Sequence, residues 1–142
     1  MRFWDSSAIV PLGCAEPLSA RCRRWLRRDP VMLVWALAAT EVVSALSRKR
    51  REQGLDARAD RTARRRLKKL ESAWNEVVQL DGVRSRAREL LGTHDLRAAD
   101  ALHLAAALLA RERQTGAAFE FVTFDRRLTA AAAREGFSVL SA

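Results

Sequence analysis

Along the 142-residue chain, apolar residues recur with a period near two in some stretches and near three and a half in others, and turn residues separate the stretches. Met1 to Trp4 is a short apolar run that ends in Asp5, Ser6 and Ser7, good turn and helix-cap residues, and predicts a first strand. Pro11 and Pro17 then punctuate the chain. Leu18 to Arg28 predicts a helix with Leu18, Cys22, Trp25 and Leu26 on one side and arginines on the other, closed by Asp29 and Pro30. Val31 to Val34 reads as a second strand. From Leu37 to Gln53 the positions Leu37, Ala38, Val42, Ala45 and Leu46 have helical spacing, with Glu41 in the first turns and Gly54 as the stop. Asp56 then caps a long helix in which Ala59, Ala63, Leu67, Leu70, Trp74 and Val77 recur every three or four residues.

Val77 to Leu80 predicts a third short strand, and Val83 to Leu91 a helix ending at Gly92. The next helix runs from Leu96 to Gln114 and is broken by Gly116. Phe119 to Phe124, rich in aromatic and β-branched residues, is the clearest strand in the sequence. Leu128 to Glu135 is a last helix stopped by Gly136, and Phe137 to Leu140 a closing strand. Strands alternating with helices imply right-handed crossovers and a parallel sheet covered by helices on both faces. No repeat, linker or low-complexity segment interrupts residues 1–142, and a chain of this length with 49% hydrophobic residues suits one α/β domain.

Charge changes this picture in one place. The formal net charge is +9, and the segment from Arg48 to Lys69 carries +8 of it, with 11 of the 26 basic residues and only Glu52, Asp56 and Asp60 against them. The basicity is therefore a patch on one predicted helix face. It fits a polyanionic partner, nucleic acid before membrane, or else a solvated helix face. Cys14 and Cys22, the only cysteines, form no metal-binding spacing and read as buried or free thiols of a reducing compartment. Asp5 interrupts the first apolar run too early for a signal peptide, and no window approaches the roughly 20 apolar residues of a membrane span. The expectation is a cytoplasmic protein that does not engage membranes. Trp4, Trp35, Trp25 and Trp74 sit at strand or apolar helical positions and read as core rather than as base-stacking residues.

The candidate chemistry begins at Asp100, a carboxylate inside the apolar helix HDLRAADALHLAAA from His94 to Ala107. Burying an unpaired carboxylate costs several kcal/mol by rough transfer estimates, so it needs a cation, a donor cluster or a wet cleft. Arg97, three residues earlier on the same face, is one candidate partner. The other acids supply a second reading. Asp5 and Asp125 lie at strand ends, while Glu41 and Asp100 lie near helix starts, and in a parallel α/β sheet these positions share the edge where ligands bind. Four carboxylates gathered there need a counter-charge, which a hard divalent cation such as Mg²⁺ or Mn²⁺ supplies.

In order and spacing, Asp5-Ser6-Ser7 after the first strand, ATEVVSAL around Glu41, LRAADALHLAAA around Asp100 and FVTFDRRL around Asp125 resemble the PIN-domain ribonucleases, most closely the VapC-type toxins of toxin–antitoxin pairs. The resemblance implies a single PIN-like domain with about five short parallel strands in the order 3-2-1-4-5. It implies a catalytic set of Asp5, Glu41, Asp100 and Asp125, with Asp5, Asp100 and Asp125 holding Mg²⁺ or Mn²⁺ and Glu41 completing the site or positioning water. Ser7 and Thr123 would orient the carboxylates. Hydrolysis of RNA by activated water, a small cognate antitoxin and a homodimer are likewise implied. Arg61, Arg64, Arg65 and Lys68 are candidate RNA contacts, and Arg97 is either a phosphate contact or a structural partner of Asp100. His103 reads as packing or as a hydrogen bond beside the acids, and His94 as a loop residue.

Two other function classes compete with that reading. A receiver-type signalling domain would need a lysine on a late strand end, whereas the only lysines are Lys49, Lys68 and Lys69. A non-catalytic RNA-binding or scaffolding module would not require the full set of four acids.

Overall fold

A computed structural model describes residues 1–114 and 119–142. Five strands, β1 (Arg2–Trp4), β2 (Met32–Trp35), β3 (Asn75–Val77), β4 (Glu120–Val122) and β5 (Ser138–Leu140), form one parallel sheet in the order β3-β2-β1-β4-β5. This is the predicted order. The connecting helices are α1 (Ser6–Gly13), α2 (Ser19–Arg28), α3 (Ala38–Glu52), α4 (Ala57–Glu71), α5 (Leu80–Thr93), α6 (Ala98–Glu112) and α7 (Arg126–Arg134).

Successive strand residues point to opposite faces of the sheet, and the short strands use both faces for apolar side chains. Phe3, Leu33, Trp35, Val77 and Phe121 face α5, α6 and α7, where they pack with Val83, Leu90, Leu104 and Leu128. Trp4, Met32, Val34 and Val122 face the other way and pack with Ile9 of α1, Cys22 of α2, Val42 and Leu46 of α3 and Leu67 of α4. Helices α1 to α4 thus cover one face and α5 to α7 the other. The tryptophans serve this packing: Trp4, Trp35 and Trp74 are buried, and half-buried Trp25 stacks on Phe124 with ring centroids 6.0 Å apart.

Several local expectations are corrected. Ser6 to Gly13, to which the sequence pattern assigned no element, is a helix, and Pro11, read as punctuation, lies inside it. A proline there removes only one backbone hydrogen bond, and burial of Ala8, Ile9, Val10 and Leu12 outweighs that loss. The fourth helix stops at Glu71, short of Trp74 and Val77, so Trp74 enters the core from a connecting segment and Val77 from a strand. The third strand is Asn75–Val77 rather than Val77 to Leu80, because Val78 and Leu80 are exposed and Leu80 opens α5. Gly92 lies within α5, whose C-cap is His94. Gly116 lies outside the described residues. Gly54 and Gly136, both read as helix stops, adopt positive φ of 73° and 85°, the left-handed conformation in which glycine carries no Cβ penalty. Cys14 and Cys22 are buried and free, and they lie on different elements, Cys14 as the C-cap of α1 and Cys22 within α2. No helix among the described residues is long and apolar enough to cross a membrane.

Candidate functional site

The chain leaves β1 toward β2 and β3 on one side, and β4 and β5 lie on the other, so the order in which the parallel strands are laid down reverses between β1 and β4. At the C-terminal end of that pair, helix N-termini from both faces meet, and their partial positive charge favours carboxylates. Each of the four acids stands at one of them. Asp5 is the N-cap of α1, Glu41 is in the first turn of α3, Asp100 in the first turn of α6, and Asp125 is the N-cap of α7.

Asp5 is the most enclosed of the four, at 2% exposure, and it is heavily bonded. The Ser7 amide donates to its Oδ2 at 3.2 Å, the Ser7 hydroxyl donates to the same oxygen, and the Thr123 hydroxyl donates to it at 2.9 Å. Thr123 also accepts from the Asp125 amide at 3.1 Å, and Ser7 Oγ accepts from the Phe124 amide at 2.9 Å. The two hydroxyls therefore tie the end of β1 to the turn after β4. Asp125 spends one carboxylate oxygen on the Leu128 amide at 2.8 Å, the cap bond of α7.

Glu41 joins this group from the other side. Its Oε2 accepts from the Ser6 hydroxyl at 3.0 Å and lies 2.8 Å from His103 Nε2, which is also 3.5 Å from Asp5 Oδ1. A carboxylate only accepts, so Nε2 carries a hydrogen and donates. His103 is fully buried, with its ring edge-on to Phe3. Burial would lower its pKa, but Asp5, the hydrogen bond to Glu41 and the charge of Asp100 together raise it. Its imidazole thus sits as a partial counter-charge between two carboxylates.

Asp100 is pushed up to about 6, first by burial and then by the charges of Asp125, Asp5 and Glu41, with His103 opposing. The charges of the other three acids thus all reach Asp100, and no ion pair joins Asp100 to Arg97, which is exposed at the N-cap of α6. The salt-bridge reading of Asp100 is therefore not what the fold forms. Asp5, Glu41 and His103 each offer an atom within 4.8 Å of the others, a grouping that could hold a metal ion. Because His103 Nε2 is engaged as a donor, the atoms left for an ion are carboxylate oxygens, and these fit a hard divalent cation.

The basic helix lies elsewhere. Arg66 of α4 donates to the Gly13 carbonyl at 3.0 Å, and Gly13 packs on Ala63, so α4 sits at the far end of α1 from Asp5. Arg61, Arg65 and Lys68 are exposed, Arg65 with a 3.4 Å bond to Thr62. Arg64 is turned into a local pair with Asp60 and Ser47. Sequence reasoning did not place Ser6 in the site, although a hydroxyl directly after Asp5 was a signal for it. His94 lies between α5 and α6, as the loop reading has it, but its ring is nearly buried and bonded to Glu135 at 2.7 Å.

Similarity to known proteins agrees with this geometry. The chain is 35% identical to Ribonuclease VapC46 of Mycobacterium tuberculosis (strain ATCC 25618 / H37Rv), over 98% of this chain and 95% of that protein. Its fold resembles that of Mycobacterium tuberculosis VapC20, a Sarcin-Ricin loop cleaving toxin, with a TM-score of 0.65 at 19% identity, covering 96% of each chain. It also resembles a toxin-antitoxin complex from Klebsiella pneumoniae, with a TM-score of 0.64 at 17% identity over 99% of this chain and 96% of that one. The PIN domain family model matches residues 2–134, from the first strand through the last helix, and the chain with its four acids at one sheet edge belongs to the PIN domain family.

Proposed function

We propose that this protein is a divalent-metal-dependent endoribonuclease and the toxin component of a toxin–antitoxin pair. The observation that carries the reading is the concentration of four carboxylates at one sheet edge, where Asp100 is pushed up to about 6 while a single histidine offers counter-charge. Such a site is costly unless a cation enters it. Asp5, Asp100 and Asp125 would hold Mg²⁺ or Mn²⁺, which when bound supplies an activated water and neutralises charge on the phosphodiester. Glu41, oriented by Ser6 and His103, completes the site or takes the proton from the attacking water. Ser7 and Thr123 keep Asp5 in one orientation. With water as the nucleophile, products carry a 5′-phosphate and a 3′-hydroxyl.

RNA as the substrate is supported by the names of the two mycobacterial relatives, and a small antitoxin partner by the toxin-antitoxin complex of like fold. A homodimer and a cytoplasmic location complete the proposal. The test is cleavage of RNA in Mg²⁺ or Mn²⁺, abolished by EDTA and by Asp100→Asn with the fold retained. An Asn variant that cuts as fast as the parent would overturn the role given to Asp100.

A further inference from the structure

Next to the acids, α7 carries a depression of opposite charge. It is lined by Arg126, Arg127, Ala130, Ala131 and Arg134 of that helix and by His94 and Asp95 from the segment before α6, three guanidinium groups against one carboxylate. Residues four apart share a helix face, so Arg126, Ala130 and Arg134 line one stripe, and the small side chain at 130 is what leaves room between the two arginines. Arg127 is partly neutralised by Asp95, 3.6 Å away. Arg126 and Arg134 are exposed, with no carboxylate partner among the described residues. The opposite wall is fixed, since His94 is held by Glu135, whose carbonyl is in turn bonded by Arg111.

The location gives this pocket its meaning. Arg126 follows Asp125 directly in the chain, and His94 and Asp95 lead into α6, whose first turn carries Asp100. An uncompensated acidic cluster repels a polyanion, so a phosphodiester approaches it only where adjacent cations hold the same strand. Guanidinium forks match phosphate oxygens, whereas no Phe, Tyr, Trp or large aliphatic side chain lines the depression to take a base, and its one ring, His94, is nearly buried and held by Glu135.

We infer that the pocket walled by Arg126, Arg127, Arg134 and His94 is a subsite for the phosphate of a nucleotide flanking the scissile bond in single-stranded RNA. The inference rests on the nuclease reading proposed for the acids. Arg126 and Arg134 supply the free guanidinium groups, and the subsite sets how the strand lies across the four acids.

The test is binding of a labelled single-stranded RNA of roughly ten nucleotides, followed by fluorescence anisotropy in EDTA over a range of salt concentrations, so that no turnover is needed. The double variant Arg126→Gln/Arg134→Gln should bind several-fold more weakly, with a salt slope flattened by roughly 0.7 per lost contact. Ala130→Glu, at an exposed position, should weaken binding while leaving the melting temperature within a degree or so, which guards against a merely misfolded variant. In Mn²⁺ the double variant should raise KM more than it lowers kcat. Unchanged affinity and slope in both variants would overturn the subsite and assign these arginines to solvent or to an acidic protein partner. A parent that binds RNA through this pocket but cuts none in Mn²⁺ would instead overturn the nuclease reading.

Discussion

His103 of α6 and Glu41 of α3 approach to 2.8 Å, Nε2 to Oε2, across the edge of the sheet. The two helices lie on opposite faces, so this one hydrogen bond closes the sheet edge beneath the acids. Replacing His103 by Phe keeps a planar ring but removes the donor between Asp5 and Glu41. The variant should lose about 1–3 kcal/mol of stability in EDTA, the usual cost of stripping a buried charged group of its partner. Urea unfolding of both proteins in EDTA checks this, and an unchanged midpoint would reduce His103 to a packing residue.

Asp100 should make the metal-free protein less stable as pH rises. Its folded-state pKa is about 6 against an ordinary value of 3.8, so its contribution is fully present below about pH 4 and is lost as pH rises through about 6. Asp100→Asn should therefore melt higher than the parent in EDTA above that range, and the difference should vanish in acid. Saturating Mn²⁺ should reverse the ranking, since a ligand at 100 times its dissociation constant stabilises by about 2.7 kcal/mol and the parent holds it better. An Asn variant that melts lower than the parent in EDTA would mean that Asp100 has a stabilising partner.

Thr123 tests the tie between β1 and the turn after β4. Its buried hydroxyl donates to Asp5 and accepts from the Asp125 amide, so Thr123→Val leaves two groups short of a partner at unchanged volume. The expected loss is about 1–3 kcal/mol, together with weaker Mn²⁺ binding by titration calorimetry. Thr123→Ser should restore most of both, and metal affinity that ignored the hydroxyl would detach Thr123 from the site.

The basic helix should act only through exposed charges. Changing Arg61, Arg65 and Lys68 to Gln should flatten the salt dependence of RNA binding by up to about 0.7 to 0.9 per lost phosphate contact, with metal affinity unaltered. Arg64→Gln should instead show up in thermal stability, because Arg64 is bonded to Asp60 and Ser47. A flat response of binding to all of these changes would assign the face of α4 to solvent or to a protein partner.

The alternation of short apolar strands with amphipathic helices is a local pattern, and it was enough to determine a parallel α/β sheet with Asp5 and Asp125 at strand ends and Glu41 and Asp100 at helix starts. Gly54 and Gly136 were legible for the same reason, since a helix stop is written in one or two residues. Local pattern failed where burial came from distant partners. Pro11 sits in a helix because α3 and α4 cover its neighbours, and Trp74 continues a helical spacing although the helix has ended. The same limit governs the site. The sequence placed the four acids along one edge, but only the tertiary structure decided that Ser6 and His103 converge on Glu41, 35 and 62 residues from it, and that Arg97 leaves Asp100 unpaired. Hydrogen bonds of that range depend on how helices from opposite faces are set against the sheet, and no periodicity within a single element encodes that setting.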